Sequence, residues 1–271
     1  MNQLMTPHGG GRRMPGRRSL LAAAALSLPL LCSRTAWAQA FPNTPIRLIV
    51  PYAAGGAADT VARVLAPRLT ESLGQAVIIE NRTGANGAIA CSYVAASAPD
   101  GYTLVINLGP SHHTLQLFTK GIKYDPVKDF TAISMVATAP QVLVVPAASP
   151  IKSVRELIDT AKGNKKGLSY ATSGVGTSQH LAGLLLGNME KIPLTHVAYR
   201  GGAPALTDVV GGQIDSGILV LSNTLPYIQN GKLRALGVVE NHRSKSAPDV
   251  PTLAESGITG FAIPDTWVGI L

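Results

Sequence analysis

Beyond residue 40 the chain holds a single cysteine, Cys91. It also has no stretch approaching the roughly eighteen uninterrupted apolar residues that a membrane span needs. One cysteine excludes an intrachain disulfide, and Cys91 reads as a small buried apolar residue in a helix. Acidic residues are missing from the first forty positions, where five of the 23 basic residues lie. The formal charge of +8 therefore falls to +3 beyond position 40, with 18 basic against 15 acidic residues. Without a block of like charge or a basic-aromatic cluster, that balance gives no support to nucleic-acid binding. No repeat of fixed period and no low-complexity segment follows, which excludes solenoids and linker arrays.

What is present begins with a targeting pattern. Arg12, Arg13, Arg17 and Arg18 precede the apolar run Ser19 to Leu31, and Ala36-Trp37-Ala38 supplies small residues for cleavage. Residues 1–40 are thus expected to be a cleavable signal peptide that sends a soluble protein to the periplasm. Arg17-Arg18-Ser19-Leu20-Leu21 also fits a twin-arginine start, but paired arginines are common in ordinary signals, so the general secretory route is preferred. Leu31-Cys32 is a poor lipidation site. Removing 40 of the 271 residues leaves 231, enough for two lobes with separate cores.

Strand and helix patterns alternate along those residues, which implies parallel-rich α/β sheets. Strands are expected at Ile46 to Val50, Ala76 to Glu80, Tyr102 to Asn107, Ala132 to Val136 and Gln141 to Val145. Helical spacing joins Val61, Val64, Leu65, Leu69 and Leu73, with Pro67 expected to kink or divide the helix. A second helix is expected over Ala88 to Ser97, and a third begins at the Ser153 cap. A second α/β series starts here and continues from Leu168 to Val239. The helix signal Thr252-Leu253-Ala254-Glu255 and a strand at Trp267 to Leu271 then return to the first lobe. The expected lobes are 41–138 with 240–271, and 139–239, and the two crossings make a hinge.

Four loops between a strand end and a helix start are rich in glycine or small residues: Tyr52 to Asp59, Asn81 to Gly87, Thr172 to Ser178 and Arg200 to Ala203. Such loops suit anions, because the first N–H groups of a helix lack internal partners, the dipole favours negative charge, and missing side chains admit a ligand oxygen. Ligands also collect beyond the carboxyl ends of strands in open α/β sheets. Glycine before a helix is often turn geometry alone; four such loops across two lobes favour a binding cleft. Gly174-Val175-Gly176-Thr177-Ser178-Gln179 lacks the third glycine of a dinucleotide fingerprint, and no Gly-Lys-Ser/Thr follows any loop. Neither a nucleophile elbow nor a zinc helix occurs. His112 and His113 are adjacent and cannot form an i, i+4 metal pair; they read equally as surface histidines or, with Ser111, as donors into a cleft. Arg200 reads as a solvated charge or, beside Gly201-Gly202, as an attractor of an anion. His180 reads as a local structural partner, and Trp267 as core or hinge packing. No metal and no cofactor is expected.

The motifs Pro45 to Pro51 followed by Gly55-Gly56 and Asp59, Glu80-Asn81-Arg82 with Gly84 and Gly87, and Ala98-Pro99-Asp100-Gly101-Tyr102 form the start of an ordered series. It continues with Tyr124-Asp125-Pro126, His196 to Tyr199, Ala203-Pro204-Ala205-Leu206, Gly211-Gly212-Gln213-Ile214-Asp215, Gly231 to Leu236 and Asp249-Val250-Pro251-Thr252. In these the chain resembles the Bug family, the extracytoplasmic receptors of tripartite tricarboxylate transporters. The resemblance implies a type II periplasmic-binding-protein fold, two α/β lobes with a hinge and a ligand cleft, and no enzymatic activity. It also implies a small carboxylate ligand held by backbone amides and waters. The expected site is Tyr52, Ala53, Ala54, Gly55, Ala57 and Asp59 in the first loop, Ser111, and Thr172, Ser173, Gly174, Gly176 and Thr177 in the facing loop, with Tyr199, Arg200 and Leu219 nearby. The implied partners are integral-membrane transporter subunits or a membrane sensor, with the receptor itself monomeric; a periplasmic enzyme using His112, His113 or Asp59 as acid or base is the alternative of another class.

Two departures carry expectations of their own. Ala53-Ala54 replaces a proline-rich lead, and Leu219-Val220-Leu221 stands where many members have an acidic residue that can hold a ligand ammonium. Leu219 cannot do so, and a ligand without an amine is expected: a di- or tricarboxylate or an aromatic acid. After Trp267-Val268-Gly269 the family continues through further first-lobe elements, so the end at Leu271 reads as a truncation that would uncover apolar surface.

Overall fold

The computed structural model describes residues 41–271, with the side chains of Pro110 and Ser111 excepted. The segment read as a signal lies outside the described residues. The elements run β1 (Ile46–Val50), α1 (Ala57–Leu73), β2 (Val77–Asn81), a 3-10 turn (Ala85–Gly87), α2 (Ala88–Ala95), β3 (Thr103–Leu108), α3 (Gly109–Phe118), β4 (Ser134–Thr138) and β5 (Gln141–Pro146). They continue with α4 (Val154–Gly163), β6 (Leu168–Thr172), α5 (Ser178–Glu190), β7 (Leu194–Ala198), α6 (Gly202–Val210), β8 (Ser216–Val220), α7 (Leu221–Gln229), β9 (Leu233–Val238) and β10 (Trp267–Ile270).

Two five-stranded sheets result, ordered β2-β1-β3-β10-β4 and β7-β6-β8-β5-β9. In the first, β1 is parallel to β2 and β3, whereas β10 is antiparallel to β3 and β4. In the second, β6 is parallel to β7 and β8, whereas β5 is antiparallel to β8 and β9. The strand that follows each crossover, β5 or β10, enters its sheet in the same place, so the two lobes share one topology. Leu48, Ile49 and Val50 are fully buried, as a strand covered by helices on both faces requires. In α4 the Ser153 Oγ accepts from Glu156 N at 3.1 Å, while Val154, Leu157, Ile158 and Ala161 turn inward. Gly183 lets the Tyr170 ring lie against α5, since an added Cβ there would stand 2.2 Å from ring Cε2.

Several sequence expectations are corrected. α1 is one continuous helix through Pro67; Pro67 lies on its exposed side, where water can satisfy the carbonyl it leaves unpaired. α3 is not among the elements expected from the sequence; Pro110 lies in its first turn, where proline is welcome. Thr252 and Glu255 form the reciprocal cap the sequence suggests, with Thr252 N on Glu255 Oε2 at 2.7 Å and Glu255 N on Thr252 Oγ1 at 3.0 Å. Only turns follow, and the segment does not return to the first lobe. Leu253, Ile258 and Phe261 pack into the second lobe's core with Leu143, Tyr170 and Ile218, each contributing roughly 1.5–3 kcal/mol of burial. Val238 N donates to Pro251 O and Leu253 N to Val238 O. The return is made by residues 262–266, and the two crossing segments meet where Ala139 N donates to Thr266 O at 2.7 Å. Trp267 lies flat against Gly109, whose added Cβ would stand 1.8 Å from the indole Cε2.

Candidate functional site

The first-lobe loop turns at Gly55, whose φ of +80° favours glycine. Asp59, 1% exposed, accepts from Gly55 N at 2.8 Å, Arg63 Nε at 2.9 Å and Asn81 Nδ2 at 2.9 Å. Burial opposes its ionisation, but these hydrogen bonds outweigh burial and hold the carboxyl below the usual range. Asp59 is therefore a pin that shapes the loop, with its oxygens turned to its own backbone and neighbours. Tyr52 is buried, and its hydroxyl donates to Asn107 Oδ1 at 3.1 Å.

The facing loop is also braced from within. Ser173 N and Oγ both donate to Gln179 Oε1 at 2.7 Å. Gly174 N donates to Thr172 Oγ1 at 3.2 Å, and Gly176 N to His180 Nδ1 at 3.1 Å. Thr177 caps α5 by accepting from His180 N at 3.2 Å. Behind the loop the rings of His180 and His196 stack at 4.0 Å between centroids, and His196 Nε2 lies 2.7 Å from Thr172 Oγ1. Burial lowers the pKa of both, that of His196 to about 4 with a smaller contribution from its neighbour. His180 is thus a partner of its own loop, as its helix position suggests.

The lobes meet across these loops. Asn86 Nδ2 donates to Val175 O, Thr114 Oγ1 to Gly176 O, and Asn223 Nδ2 to Gly55 O at 2.9 Å. Gly201 faces Ala53 so closely that a Cβ would approach Ala53 N at 3.2 Å. Between the lobes lie an inner cavity of about 20 Å³ and a larger one of about 300 Å³. The inner one is bordered by helix starts of both lobes, including Ala57 of α1, Gly202 of α6 and Asn223 of α7, whose first N–H groups favour anions. The larger has aromatic walls in Tyr52, Phe118 and Tyr199. Among the described residues lining either cavity no side chain is acidic, and Arg200 alone is charged.

The expected site residues separate into three groups. Tyr52, Ala57, Ser173 and Leu219 line the inner cavity, and Tyr52, Ser173, Gly174, Tyr199 and Arg200 line the larger one. Gly55 borders a groove of about 360 Å³ formed with Asn223 and Tyr227, while Ala53 and its neighbour Ala54 belong to the loop pressed against Gly201. Asp59, Thr172, Gly176 and Thr177 stand behind the cavity walls with their polar atoms engaged. Ser111 lies in α3, and its side chain is outside the described residues.

His112 does not point into the cleft, and it is not a surface histidine. It is 2% exposed inside the first lobe, with Nε2 3.1 Å from Pro126 O and Nδ1 3.1 Å from Asn107 Nδ2. A carbonyl only accepts, so Nε2 carries the proton and Nδ1 accepts. Burial pushes its pKa down to about 4. Cys91, beside it in α2, is buried and its thiol is pushed up to about 11 by burial, as a structural cysteine should be. His113 is exposed. Among the described residues no group of three or more His, Cys, Asp or Glu is placed to hold a metal ion, and no helix is long and apolar enough to cross a membrane. Sequence reasoning missed Gln141, Gln179, Asn86, Thr114 and Asn223. Asn86 alone carried a signal, since it lies in one of the glycine-bearing loops.

A model described as the tripartite tricarboxylate transporter family receptor matches residues 61–271. A UPF0065 protein in the tcbD-tcbE intergenic region of Pseudomonas sp. (strain P51) is 39% identical over 256 residues, covering 94% of this chain and 76% of the relative. Two solved structures are similar: R. palustris Rpa4515 with adipate, at TM-score 0.81 and 36% identity over 85% of this chain and 77% of that one, and MatC (Rpa3494) from Rhodopseudomonas palustris with bound malate, at TM-score 0.79 and 33% identity over 85% and 78%. With the two-lobed topology and the facing loops, these matches show that the chain belongs to the receptor family of tripartite tricarboxylate transporters.

Proposed function

We propose that this protein is an exported, periplasmic receptor that captures a small carboxylate between its lobes, performs no chemistry on it, and presents the closed form to integral-membrane transporter subunits. The observation that carries the reading is the charge of the interlobe cavities: helix starts and Arg200 face the space, with no acidic side chain among the described residues on its walls. An anion is attracted there, and an ammonium group finds no counter-charge. The adipate and malate bound by the two structural relatives are carboxylates of the same class. Leu219, on the inner wall, supports a ligand without an amine.

In this reading the helix starts bordering the inner cavity attract one carboxylate, and Tyr52, Phe118 and Tyr199 flank the body of the ligand. Arg200 makes no hydrogen bond or ion pair with any described residue, which leaves its guanidinium for a second anionic group. Calorimetric titration of the full chain with adipate, malate, citrate, benzoate and aspartate tests the reading. A dicarboxylate is expected to bind most tightly. Arg200→Gln is expected to weaken that acid about tenfold, corresponding to one charge-assisted hydrogen bond, while leaving benzoate unchanged. Aspartate bound more tightly than malate overturns the amine-free site.

A further inference from the structure

Both ends of the second lobe's binding loop are tied to the hinge by buried side chains. Ser173, which lines both interlobe cavities, gives its N–H and its hydroxyl proton to Gln179 Oε1, each at 2.7 Å. Gln179 Nε2 donates to Gln141 Oε1 at 2.8 Å, and Gln141 Nε2 donates to Ala139 O at 2.7 Å. Ala139 lies in the first crossing segment, and its own N–H holds Thr266 of the second. Gln141 N in turn donates to both carboxylate oxygens of Glu240, at 2.9 and 3.0 Å. Thr266 Oγ1 donates to Ser178 Oγ at 2.9 Å, so the start of α5 touches both crossings.

We propose that Gln179 is a positioning residue that couples the ligand-facing loop to the hinge, through the chain Ser173–Gln179–Gln141–Ala139. The donors all run in one direction along it. Each amide oxygen accepts from the binding loop's side and each NH2 donates toward the hinge, so neither glutamine can turn over without opposing two donors. Ser173, Gln179 and Gln141 are 4%, 1% and 1% exposed, and water does not replace a broken link cheaply. The neighbouring amides of Gly174 and Gly176 are held within the loop, by Thr172 and His180, whereas the amide of Ser173 is held by Gln179, which continues to Gln141 and Ala139. A ligand oxygen entering either cavity competes with Gln179 for the Ser173 hydroxyl proton, and that competition carries ligand occupancy to the segment about which the lobes close.

The ligand half of this inference rests on the receptor reading; the mechanical half does not. Amide hydrogen exchange on the ligand-free full chain tests the second. Gln179→Leu is expected to speed exchange at Ser173 and also at Gln141, tenfold or more, although Gln141 N is bonded to Glu240. Thr172→Val, which frees Gly174 N within the same loop, is expected to leave Gln141 unchanged. Unaltered exchange at Gln141 in Gln179→Leu overturns the coupling.

Adipate titration tests the ligand half. Gln179 itself borders the inner cavity, whereas Gln141 lines neither cavity, so the chain is cut at Gln141. Gln141→Leu removes the acceptor for Gln179 Nε2 and leaves both Ser173 hydrogen bonds to Gln179 in place; its adipate affinity is expected to be about three- to thirtyfold below wild type. An affinity equal to wild type overturns the coupling to the ligand. Wild-type protein that fails to bind adipate counts against the receptor reading, and the exchange measurement then decides the relay.

Discussion

Glu240 is 2% exposed and ends the hinge network with both oxygens on Gln141 N. Burial, joined by a smaller repulsion from Asp265, outweighs those hydrogen bonds and pushes its pKa from 4.5 up to about 7. Between these values the folded chain keeps a proton that the unfolded chain has released, so folding takes up a proton and stability falls as pH rises. Below pH 4.5 both states are protonated and nothing is lost. Above pH 7 the whole difference is present, about 3 kcal/mol at 1.36 kcal/mol per unit. Glu240→Gln keeps an amide oxygen for Gln141 N and removes the charge. The variant is expected to match wild type near pH 4.5 and to exceed it by about 3 kcal/mol at pH 8.5, a rise in Tm of about 6–12 °C for a chain of this size. Urea and thermal unfolding across that range measure it. Other titrating groups contribute equally to both proteins, so the difference between them isolates Glu240. An offset that is absent at pH 8.5, or equal at both ends, refutes the reasoning.

The stacked histidines act in the opposite sense. Their pKa values are lowered, so the unfolded chain binds protons first and stability is lost as pH falls below 6.5, toward about 4 for His196. The double variant His180→Asn and His196→Gln retains polar atoms near Nδ1 and Nε2 without titrating, and its melting temperature is expected to fall less than that of wild type between pH 6.5 and 4. Asp59→Ala leaves Gly55 N and Asn81 Nδ2 without their acceptor and is expected to cost about 2–4 kcal/mol in urea unfolding. Arg63→Ala is expected to cost under about 1 kcal/mol, since that side chain is 56% exposed.

Most of the element order was legible in the sequence, because it rests on local chemistry. The β-rich run Ile46 to Val50, the Ser153 cap with its apolar face, and the strand and helix of 194–210 each announce themselves within a few residues. Of the candidate site, the facing loops and the cavity-lining Tyr52, Ser173, Tyr199 and Arg200 were legible as small-residue turns before helices. Asp59 and Thr172 were placed on the same loops, but whether a polar atom faces a ligand or its own backbone depends on partners such as Asn81 and His196, distant in sequence.

The sequence by itself therefore determined the two α/β series, the turns between them and the family, since periodicity, caps and ordered motifs are properties of neighbouring residues. Tertiary structure alone decided that 252–261 stays with the second lobe, that His112 is buried, and that Gln141, Gln179 and Glu240 join the hinge to the binding loop. The physical reason is that a buried polar group takes its role from the groups that satisfy it, here 38 residues away for Gln179 and 99 for Glu240.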